Sequence, residues 1–393
     1  MEKYRVLASY FHENKDLYDQ MLKQRFYSEG TFQLPFEALG HPAFVVMTRD
    51  LTLKLSILTS LLNTFNQLTR STPYLNTLMV DAIFKEIEAS NEIEGIHSSR
   101  KELQLAMSFP VAKHTRFAGQ IRQYIQLMDH SDLFPQNVSQ IRTLYDDLLL
   151  EDIQLNTPDN VPDGYLFRKE PVYIHDGIHI VHTGIVPEEK IIELLDQSLK
   201  IANDTTIPSL VRLAIFHFLF GYIHPFYDGN GRMNRYLSTL FLASQFSPEA
   251  SLQLSLCIRK KRKEYYRAFK ICEDPLNKGD LTPFVLFFLD ALQMALQEEI
   301  EVLKQRKKEY DQYIEKIHSL HLSRKETALL AVLAENKIFN IGGSSLTQLC
   351  EQMSLSENTL RKLLHALDRY IFTIRSGKYK QYDLIDHFLT SDQ

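Results

Sequence analysis

The chain has 393 residues, of which 44% are hydrophobic and 24% are charged. This composition is ordinary for a globular protein of two or three domains, and it excludes extended disorder and a fibrous protein. The formal net charge of −5 argues against electrostatic nucleic-acid binding by the protein as a whole. Only three cysteines occur, without CxxC spacing, so neither a disulfide framework nor a zinc site is predicted.

The N-terminal residues contain no apolar segment of the kind that marks a secretory signal. The most apolar stretch, Leu210 to Ile223, is too short to span a bilayer. We therefore expect a cytoplasmic protein without a membrane partner.

Apolar spacing predicts a mainly helical chain. A long helix is predicted at roughly residues 49–69, and Ser71 to Pro73 form a start signal for a second helix that Gly95 ends. The helical runs of residues 101–150 are predicted to break near Pro110 and Pro135. Further helices are predicted from Pro187, over 209–223, over 231–245, and from Thr282 to about Ile317.

One segment has a different pattern. The dipeptide Asp176-Gly177 lies between two short β-forming runs, Val172–Ile174 and Ile178–Val181. Since such a dipeptide is typical of a tight turn between paired strands, a small β-hairpin is predicted within the helical domain.

The most informative stretch is the loop from His224 to Arg235, with sequence HPFYDGNGRMNR. Pro225 biases His224 away from helical geometry, so the preceding helix is predicted to end there. Gly229 and Gly231 allow close approach of a ligand to the N-terminus of the next helix, where unpaired N–H groups bind anions.

The charged residues of this loop suit a polyphosphate. Arg232 and Arg235 are three residues apart and are predicted to lie on one helix face. Asp228 is a hard oxygen ligand that suits Mg²⁺, and His224 is a candidate general base. The alternative is a tight interhelical turn with surface arginines, which does not explain so many functional residue types in so short a stretch.

The loop resembles the signature of the Fic family, HxFx(D/E)GNGRxxR, and matches it at every defined position. The resemblance implies transfer of a nucleotide moiety, usually AMP from ATP, onto a protein hydroxyl. It implies that His224 deprotonates a Ser, Thr or Tyr hydroxyl, that Asp228 holds Mg²⁺ and that Phe226 anchors the loop in the core. It assigns the phosphates of ATP to Gly229, Asn230, Gly231, Arg232 and Arg235.

The stretch Ser90-Asn91-Glu92-Ile93-Glu94-Gly95 resembles the inhibitory motif of the same family, (S/T)xxxE(G/N). The resemblance places Glu94 against Arg235, where the carboxylate competes for the charge that holds the γ-phosphate. Alone, the motif is equally a helix ended by glycine with surface acids. In some relatives the same glutamate supports removal of AMP, which leaves a reverse reaction open.

Three further assignments come from the resemblance. The predicted hairpin lies where the family has its flap, which pairs with the backbone of the target by strand addition. Tyr265, Tyr266 and Asn277 are similar in position to residues that close the nucleotide pocket, although the two tyrosines could equally be core residues. From the pattern itself, Arg259 to Lys263 is predicted to be a solvated helix face, and His217, Cys257 and Cys272 are predicted to lie in the core.

The C-terminal pattern is helix, turn, helix and hairpin, which resembles a winged helix-turn-helix. The helices are predicted from Ser344 and over Glu357–Leu367, and the strands over Tyr370–Arg375 and Tyr379–Leu384. Residues 341–393 carry equal numbers of basic and acidic side chains. DNA affinity depends on neutralising phosphates, so protein contact or oligomer scaffolding is favoured over DNA binding, and a homo-oligomer is expected.

The predicted architecture is a Fic-type helical bundle with a small β-hairpin flap and a C-terminal winged helix-turn-helix module. The expected divisions are an N-terminal helical region at 1–110 with an inhibitory helix at about 75–95, a catalytic domain at 111–290, a connecting helix at 291–322 and the module at 323–393. The expected function is autoinhibited, Mg²⁺-dependent transfer of AMP from ATP to a target protein, for which the chain itself is one candidate, with release of diphosphate. The alternatives are AMP removal, transfer of another nucleotide, or a DNA-binding regulator with a vestigial Fic domain.

Overall fold

The computed structural model describes residues 4–38, 40–108, 116–129, 134–176, 179–339, 343–376 and 379–390. Their backbone is mainly helical, as predicted, with three small antiparallel sheets. The chain divides into two compact units, Met1–Asn66 with Ala82–Gln297 and Gln67–Asp81 with Glu298–Gln393. None of the described helices is both long and apolar enough to cross a membrane.

The helices follow the predicted apolar spacing closely. The α-helices are Leu7–Glu13, Lys15–Phe26, Arg49–Arg70, Leu75–Ile93, Arg100–Ser108, Ala118–Asp129, Val138–Tyr145, Glu151–Asn156, Glu188–Asn203, Ser209–Ile223, Asn230–Gln245, Pro248–Ser251, Leu254–Lys260, Arg262–Glu273, Thr282–Ser319, Arg324–Ile338, Leu346–Met353 and Glu357–Ala366. A π-helical turn, Asp146–Leu150, and two 3₁₀ turns, Pro158–Asn160 and Pro275–Asn277, complete them. The break predicted at Pro110 lies outside the described residues.

The helix Ser209–Ile223 forms the centre of the first unit, because apolar side chains cover all of its faces and nearly all are buried. It packs against the helices Glu188–Asn203 and Asn230–Gln245. His217 lies inside it, with its ring nitrogens 2.8 Å from the hydroxyls of Ser238 and Tyr265. Burial lowers the pKa of His217 to about 3, so the predicted core histidine is confirmed.

The N-terminal region contains strands that the sequence analysis did not predict. Thr31–Ala38 pairs antiparallel with His41–Val46. Leu34, Phe36 and Phe44 of this hairpin are buried. The sequence does carry the pattern of a strand, since apolar residues alternate at positions 32, 34 and 36, but the helical spacing of the flanking segments masked it.

The predicted hairpin in the middle of the chain is confirmed, one or two residues from the expected bounds. Tyr173–Asp176 pairs antiparallel with His179–Thr183, with an irregularity between Ile174 and His175. Gly177 and Ile178, which were expected in and beside the turn, lie outside the described residues. Its two strands form a sheet of their own.

The second unit contains the predicted order of helix, turn, helix and hairpin. The strands Ile371–Ser376 and Tyr379–Leu384 pair, and the short strand Ser344–Ser345 adds to the edge of Tyr379–Leu384. The expectation that a helix begins at Ser344 is wrong. The helix begins at Leu346, because the Ser345 side chain accepts from the Gln348 N–H and caps it.

Candidate active site

The loop between the helices Ser209–Ile223 and Asn230–Gln245 begins with a left-handed residue. The first helix ends at Ile223, and His224 has φ 54° and ψ 62° rather than extended backbone. Pro225 therefore ends the helix as predicted. The His224 carbonyl accepts a hydrogen bond of 2.9 Å from the Arg168 Nε, which holds this unusual conformation in place.

Two side chains brace the loop from inside. The Phe226 ring is fully buried and stacks on Tyr145, with ring centroids 3.6 Å apart and planes 8° from parallel. The Asn230 side chain accepts from the Phe226 N–H at 2.9 Å and donates to the Phe226 carbonyl at 2.7 Å. Phe226 thus anchors the loop in the core, and the amide of Asn230 holds the loop closed rather than facing a ligand.

Two glycines lie at the start of the helix that follows the loop, and their lack of side chains leaves the backbone at this end of the helix uncovered. Gly229 has φ 81° and lies at its N-terminal cap, and Gly231 is in its first turn. A Cβ on Gly231 would overlap the Glu94 carboxylate. The first N–H groups of a helix have no intrahelical acceptors, so this end of the helix attracts anions. Here the Glu94 carboxylate lies over Gly231, and the Asp228 Oδ1 accepts from the Gly229 N–H at 2.5 Å.

Arg235 is almost fully buried and is held by the predicted inhibitory residues. Its Nη2 lies 2.8 Å from the Glu94 Oε1. Its Nε donates to the Ser90 hydroxyl at 2.9 Å, and its Nη2 also donates to the Ser90 carbonyl at 2.8 Å. Burial alone lowers the pKa of Arg235, but the Glu94 carboxylate raises it above its ordinary value. The guanidinium is therefore charged and fully engaged.

Arg232 and Asp228 do not share the environment of Arg235. The Arg232 Nη2 lies 3.4 Å from the Asp228 Oδ1. The Arg232 Nε is buried and has no hydrogen-bond partner among the described residues. The two arginines therefore have different partners, because Arg232 turns toward the carboxylate one turn earlier in the chain, and their joint contact with a ligand stays a prediction.

A cavity of about 970 Å³ lies beside the loop. His224, Asn230, Gly231, Arg235 and Glu94 line it, whereas Asp228 and Arg232 do not. The hairpin and the helix Arg262–Glu273 supply most of the other lining residues, namely Tyr173, Ile174, His182, Arg262, Lys263, Tyr265, Tyr266, Arg267, Phe269, Lys270 and Glu273, and Gly221 and Asn234 complete the lining. The fold thus brings His224, the N-terminus of the helix Asn230–Gln245 and the Glu94 carboxylate to one cavity.

The pKa values of His224 and His182, which both line this cavity, are shifted in opposite directions. Burial lowers the pKa of His224 to about 4, so its imidazole is neutral and basic at neutral pH. Burial also opposes the charge on His182, but its contact with Glu273, 3.3 Å from its Nδ1, raises the pKa above the ordinary value. Of the two, only His224 is held neutral by its surroundings.

The residues assigned to the nucleotide pocket are not equivalent. Both tyrosines line the cavity, but Tyr266 is 46% exposed, whereas Tyr265 is buried with its hydroxyl 2.8 Å from the His217 Nε2. Asn277 is fully buried and does not line the cavity. Its side chain accepts from the Leu7 N–H at 3.2 Å and donates to the Asp280 carbonyl at 2.9 Å, so it ties the N-terminal helix to the loop after Pro275. We therefore leave Asn277 out of the site.

Two functional features were missed by sequence reasoning. Arg168 is fully buried and donates to the carbonyls of His224, Glu170 and Ile185, which ties the loop to the base of the hairpin. No local motif marks it. Arg262 and Lys263 are exposed, in agreement with the predicted solvated face, and they also line the cavity, which the sequence did not indicate.

Comparison with known proteins identifies the domain that carries this site. The family model described as Fic/DOC family matches residues 135–242, which include the loop and both helices that flank it. The chain therefore contains a Fic domain. A structure of a Fic family protein from Desulfovibrio desulfuricans G20 aligns with 90% of this chain and 99% of that chain, at a TM-score of 0.54 and 22% identity. That likeness shows the fold.

Curated relatives match a smaller part of the chain. The protein named Protein adenylyltransferase Fic from Drosophila melanogaster is 30% identical over 135 residues, which cover 34% of this chain and 25% of that protein. Protein adenylyltransferase fic-1 from Caenorhabditis elegans is 28% identical over 256 residues, which cover 61% of this chain and 45% of that protein. The chain thus spans less than half of the length of these relatives.

Proposed function

We propose that this chain is an autoinhibited protein adenylyltransferase that transfers AMP from ATP to a hydroxyl of a target protein. The observation that carries the proposal is the shared cavity, in which a neutral, partly buried imidazole, the N-terminus of the helix Asn230–Gln245 and a buried arginine converge. The names of the curated relatives support the choice of AMP as the transferred group.

The chemistry needs a base, an anion site and positioning, and the chain supplies all three. The His224 imidazole takes the proton from the target hydroxyl. The hydroxyl oxygen forms a bond to the α-phosphorus of ATP, and the bond from that phosphorus to its bridging oxygen breaks. Diphosphate leaves with the electron pair, and the proton stays on His224.

The residues present fit a magnesium ion that arrives with the nucleotide. No group of three or more candidate ligands occurs among the described residues. Mg²⁺ bound with phosphates commonly takes only one or two protein carboxylates. Asp228 offers a carboxylate that is 36% exposed. Its Oδ1 accepts from the Gly229 N–H at 2.5 Å, and its Oδ2 accepts from the Thr157 hydroxyl at 3.4 Å. Asp228 would hold the ion, which neutralises phosphate charge when bound.

Glu94 acts as the inhibitor in this proposal. Its carboxylate occupies the space over Gly231 and pairs with Arg235, the two groups best placed to receive the phosphates of ATP. A nucleotide that enters the cavity therefore meets a negative charge where its own negative charge should go. Moving or removing Glu94 frees both groups at once.

The hairpin supplies a place for the target. Its strands Tyr173–Asp176 and His179–Thr183 pair only with each other among the described residues, so backbone groups at an edge are free for an added strand. Tyr173 and Ile174 line the cavity, which brings that edge near His224. An extended target segment paired there would present a hydroxyl to the base.

The test is autolabelling of the full chain with α-labelled ATP and Mg²⁺. We expect faint label in the wild type, strong label in Glu94→Ala and none in Glu94→Ala with His224→Ala. Glu92→Ala is the matched control, since Glu92 lies two residues away and pairs with the partly exposed Arg259 at 2.7 Å instead. Absence of label in every variant, with UTP, GTP and CTP also tried, would overturn the proposal and favour AMP removal or a binding module.

A further inference from the structure

The helix Arg262–Glu273 presents a basic face to the cavity. Arg262, Lys263, Arg267 and Lys270 are all exposed and all line it. Their spacing of three or four residues, together with the neighbour at 262, places these side chains along one side of the helix. At 1.5 Å per residue this basic wall is roughly 12 Å long.

These four cations are not neutralised by the rest of the cavity. Its acidic lining residues are Glu94 and Glu273, and they are engaged by Arg235 and His182 respectively. Within the described part of the chain, none of the four makes an ion pair. Arg259, on the preceding helix, shows the contrast because it pairs with Glu92 at 2.7 Å. The open side of the cavity therefore carries a net positive charge.

The position of the basic wall favours the target over the triphosphate. The groups suited to phosphate, Gly231 and Arg235, lie at the deep end of the cavity, where Arg235 is only 1% exposed. The basic wall consists of exposed side chains at its entrance. The hairpin bounds the same entrance, and the His182–Glu273 contact of 3.3 Å joins it to the last turn of the helix. A segment that reaches His224 along the hairpin passes beside these cations.

We propose that the basic wall selects target segments that carry carboxylates next to the acceptor hydroxyl. This inference rests on the proposed function, and it names the substrate class of that function. In an extended segment, side chains two positions apart point the same way, about 7 Å from each other. Aspartate or glutamate two positions before and after the hydroxyl therefore faces the basic wall when the hydroxyl faces the base.

The test is binding of two fluorescein-labelled peptides to the full wild-type chain, measured by fluorescence anisotropy. One is a serine peptide with Asp and Glu at the flanking positions, and the other replaces these with Asn and Gln. We expect the acidic peptide alone to bind. The double variant Arg267→Glu/Lys270→Glu should weaken its binding about tenfold or more, as expected for several partly exposed ion pairs.

The matched control reverses the charge of two exposed lysines that do not line the cavity. Lys190→Glu/Lys200→Glu makes the same change in net charge on the helix Glu188–Asn203, away from the cavity. It should bind the acidic peptide as the wild type does. Equal binding of the two peptides, no binding of either, or equal loss in both double variants would each overturn the inference.

A titration with ATP shows whether the basic wall binds the target segment or the nucleotide. If Arg267→Glu/Lys270→Glu weakens ATP binding as much as peptide binding, the cations belong to the nucleotide and the inference is wrong. Because peptide binding is measured without transfer, its result is independent of autolabelling. Label without peptide discrimination would refute only the inference, and peptide discrimination without label would refute only the proposed transferase.

Discussion

His224 is only partly buried, unlike the core histidine His217, and it lies where a catalytic base is needed. His217, about two helix turns earlier, is also neutral, but both of its ring nitrogens are engaged by hydroxyls. The His224 Nδ1 contacts the Gly221 carbonyl at 3.3 Å, and the residue lines the cavity. Its other ring nitrogen is therefore the candidate proton acceptor, and the difference between the two histidines lies in access rather than in pKa.

The pH dependence of transfer follows from His224. Since burial holds its pKa at about 4, the base stays unprotonated throughout the neutral range. We expect the transfer rate of the Glu94→Ala protein to be flat from pH 8 down to about 5 and to fall as the pH drops through about 4. Initial rates of autolabelling across this range measure it. An inflection near the ordinary histidine value of 6.5 would contradict the assignment.

The Glu94–Arg235 contact predicts a link between stability and nucleotide binding. Arg235 is 1% exposed and Glu94 is 31% exposed, so removing the carboxylate leaves a buried cation with only the Ser90 contacts. We expect Glu94→Ala to lower the free energy of unfolding by about 1–2 kcal/mol, less than for a fully buried pair. ATP should then raise the melting temperature more in Glu94→Ala than in the wild type, because phosphate replaces the lost charge.

Thermal unfolding with and without ATP and Mg²⁺ measures this link, with Glu92→Ala as the control. An ATP-induced shift of the same size in all three proteins would show that Glu94 does not compete with the nucleotide. A smaller shift in Glu94→Ala would mean that the carboxylate assists binding instead.

Among the elements, the helix Leu75–Ile93 does more than place Glu94, which follows its last residue. Glu86, one turn before Ser90, is fully buried, and its carboxylate accepts from the Ser255 N–H at 2.9 and 3.0 Å. Glu92, at the end of the helix, pairs with Arg259. The helix is thus bonded at two points to the helix Leu254–Lys260, which precedes the basic wall. These contacts fix the position of Glu94 over Gly231.

Glu86 predicts a pH dependence of stability. Burial raises its pKa from 4.5 to about 7, so between these values the folded state binds a proton that the unfolded chain releases. Its contribution therefore falls as pH rises through this window. We expect Glu86→Gln to be more stable than the wild type at pH 8 by about 2 kcal/mol, with the gain lost near pH 4.5.

Denaturant unfolding at the two pH values checks the Glu86 prediction. Glu92→Gln is the control, because Glu92 has a side chain 65% exposed and should show no such change between the two pH values. A difference between Glu86→Gln and the wild type that is the same at both pH values would point to packing rather than to a buried charge.

At the scale of the whole molecule, the observed units differ from the expected divisions near residues 110 and 290. The boundaries after Asn66, Asp81 and Gln297 all fall inside helices, namely Arg49–Arg70, Leu75–Ile93 and Thr282–Ser319. Helical spacing continues unbroken through such points. A sequence pattern therefore gives no sign that the residues on either side pack in different units.

The charges of the C-terminal residues in the second unit bear on the expectation that this unit does not bind DNA. Residues 341–393 carry six basic and six acidic side chains, namely Arg361, Lys362, Arg369, Arg375, Lys378 and Lys380 with Glu351, Glu357, Asp368, Asp383, Asp386 and Asp392. Arg361, on the helix Glu357–Ala366, lies 3.2 Å from Glu357. Because phosphate neutralisation supplies most non-specific affinity, we expect no retardation of duplex DNA in a gel at about 150 mM salt. Salt-sensitive retardation would instead favour a regulator.

Local sequence was enough to predict most of the helices, a hairpin near residues 172–181 and the loop from His224 to Arg235. These depend on local spacing, on proline and glycine at fixed positions, and on a motif whose residue order is specific. The inhibitory role of Glu94 could be proposed because the stretch from Ser90 to Gly95 resembles the inhibitory motif of the Fic family.

Which of these residues lie together depends on the tertiary structure. Arg232 and Arg235 have different partners, Asn277 does not line the cavity, and the Asn230 side chain hydrogen-bonds to the backbone of the loop. The tertiary structure also brings Arg168 under His224 and the basic wall to the entrance of the cavity. The physical reason is that side-chain direction and burial depend on partners far away in the chain, and no local pattern records them.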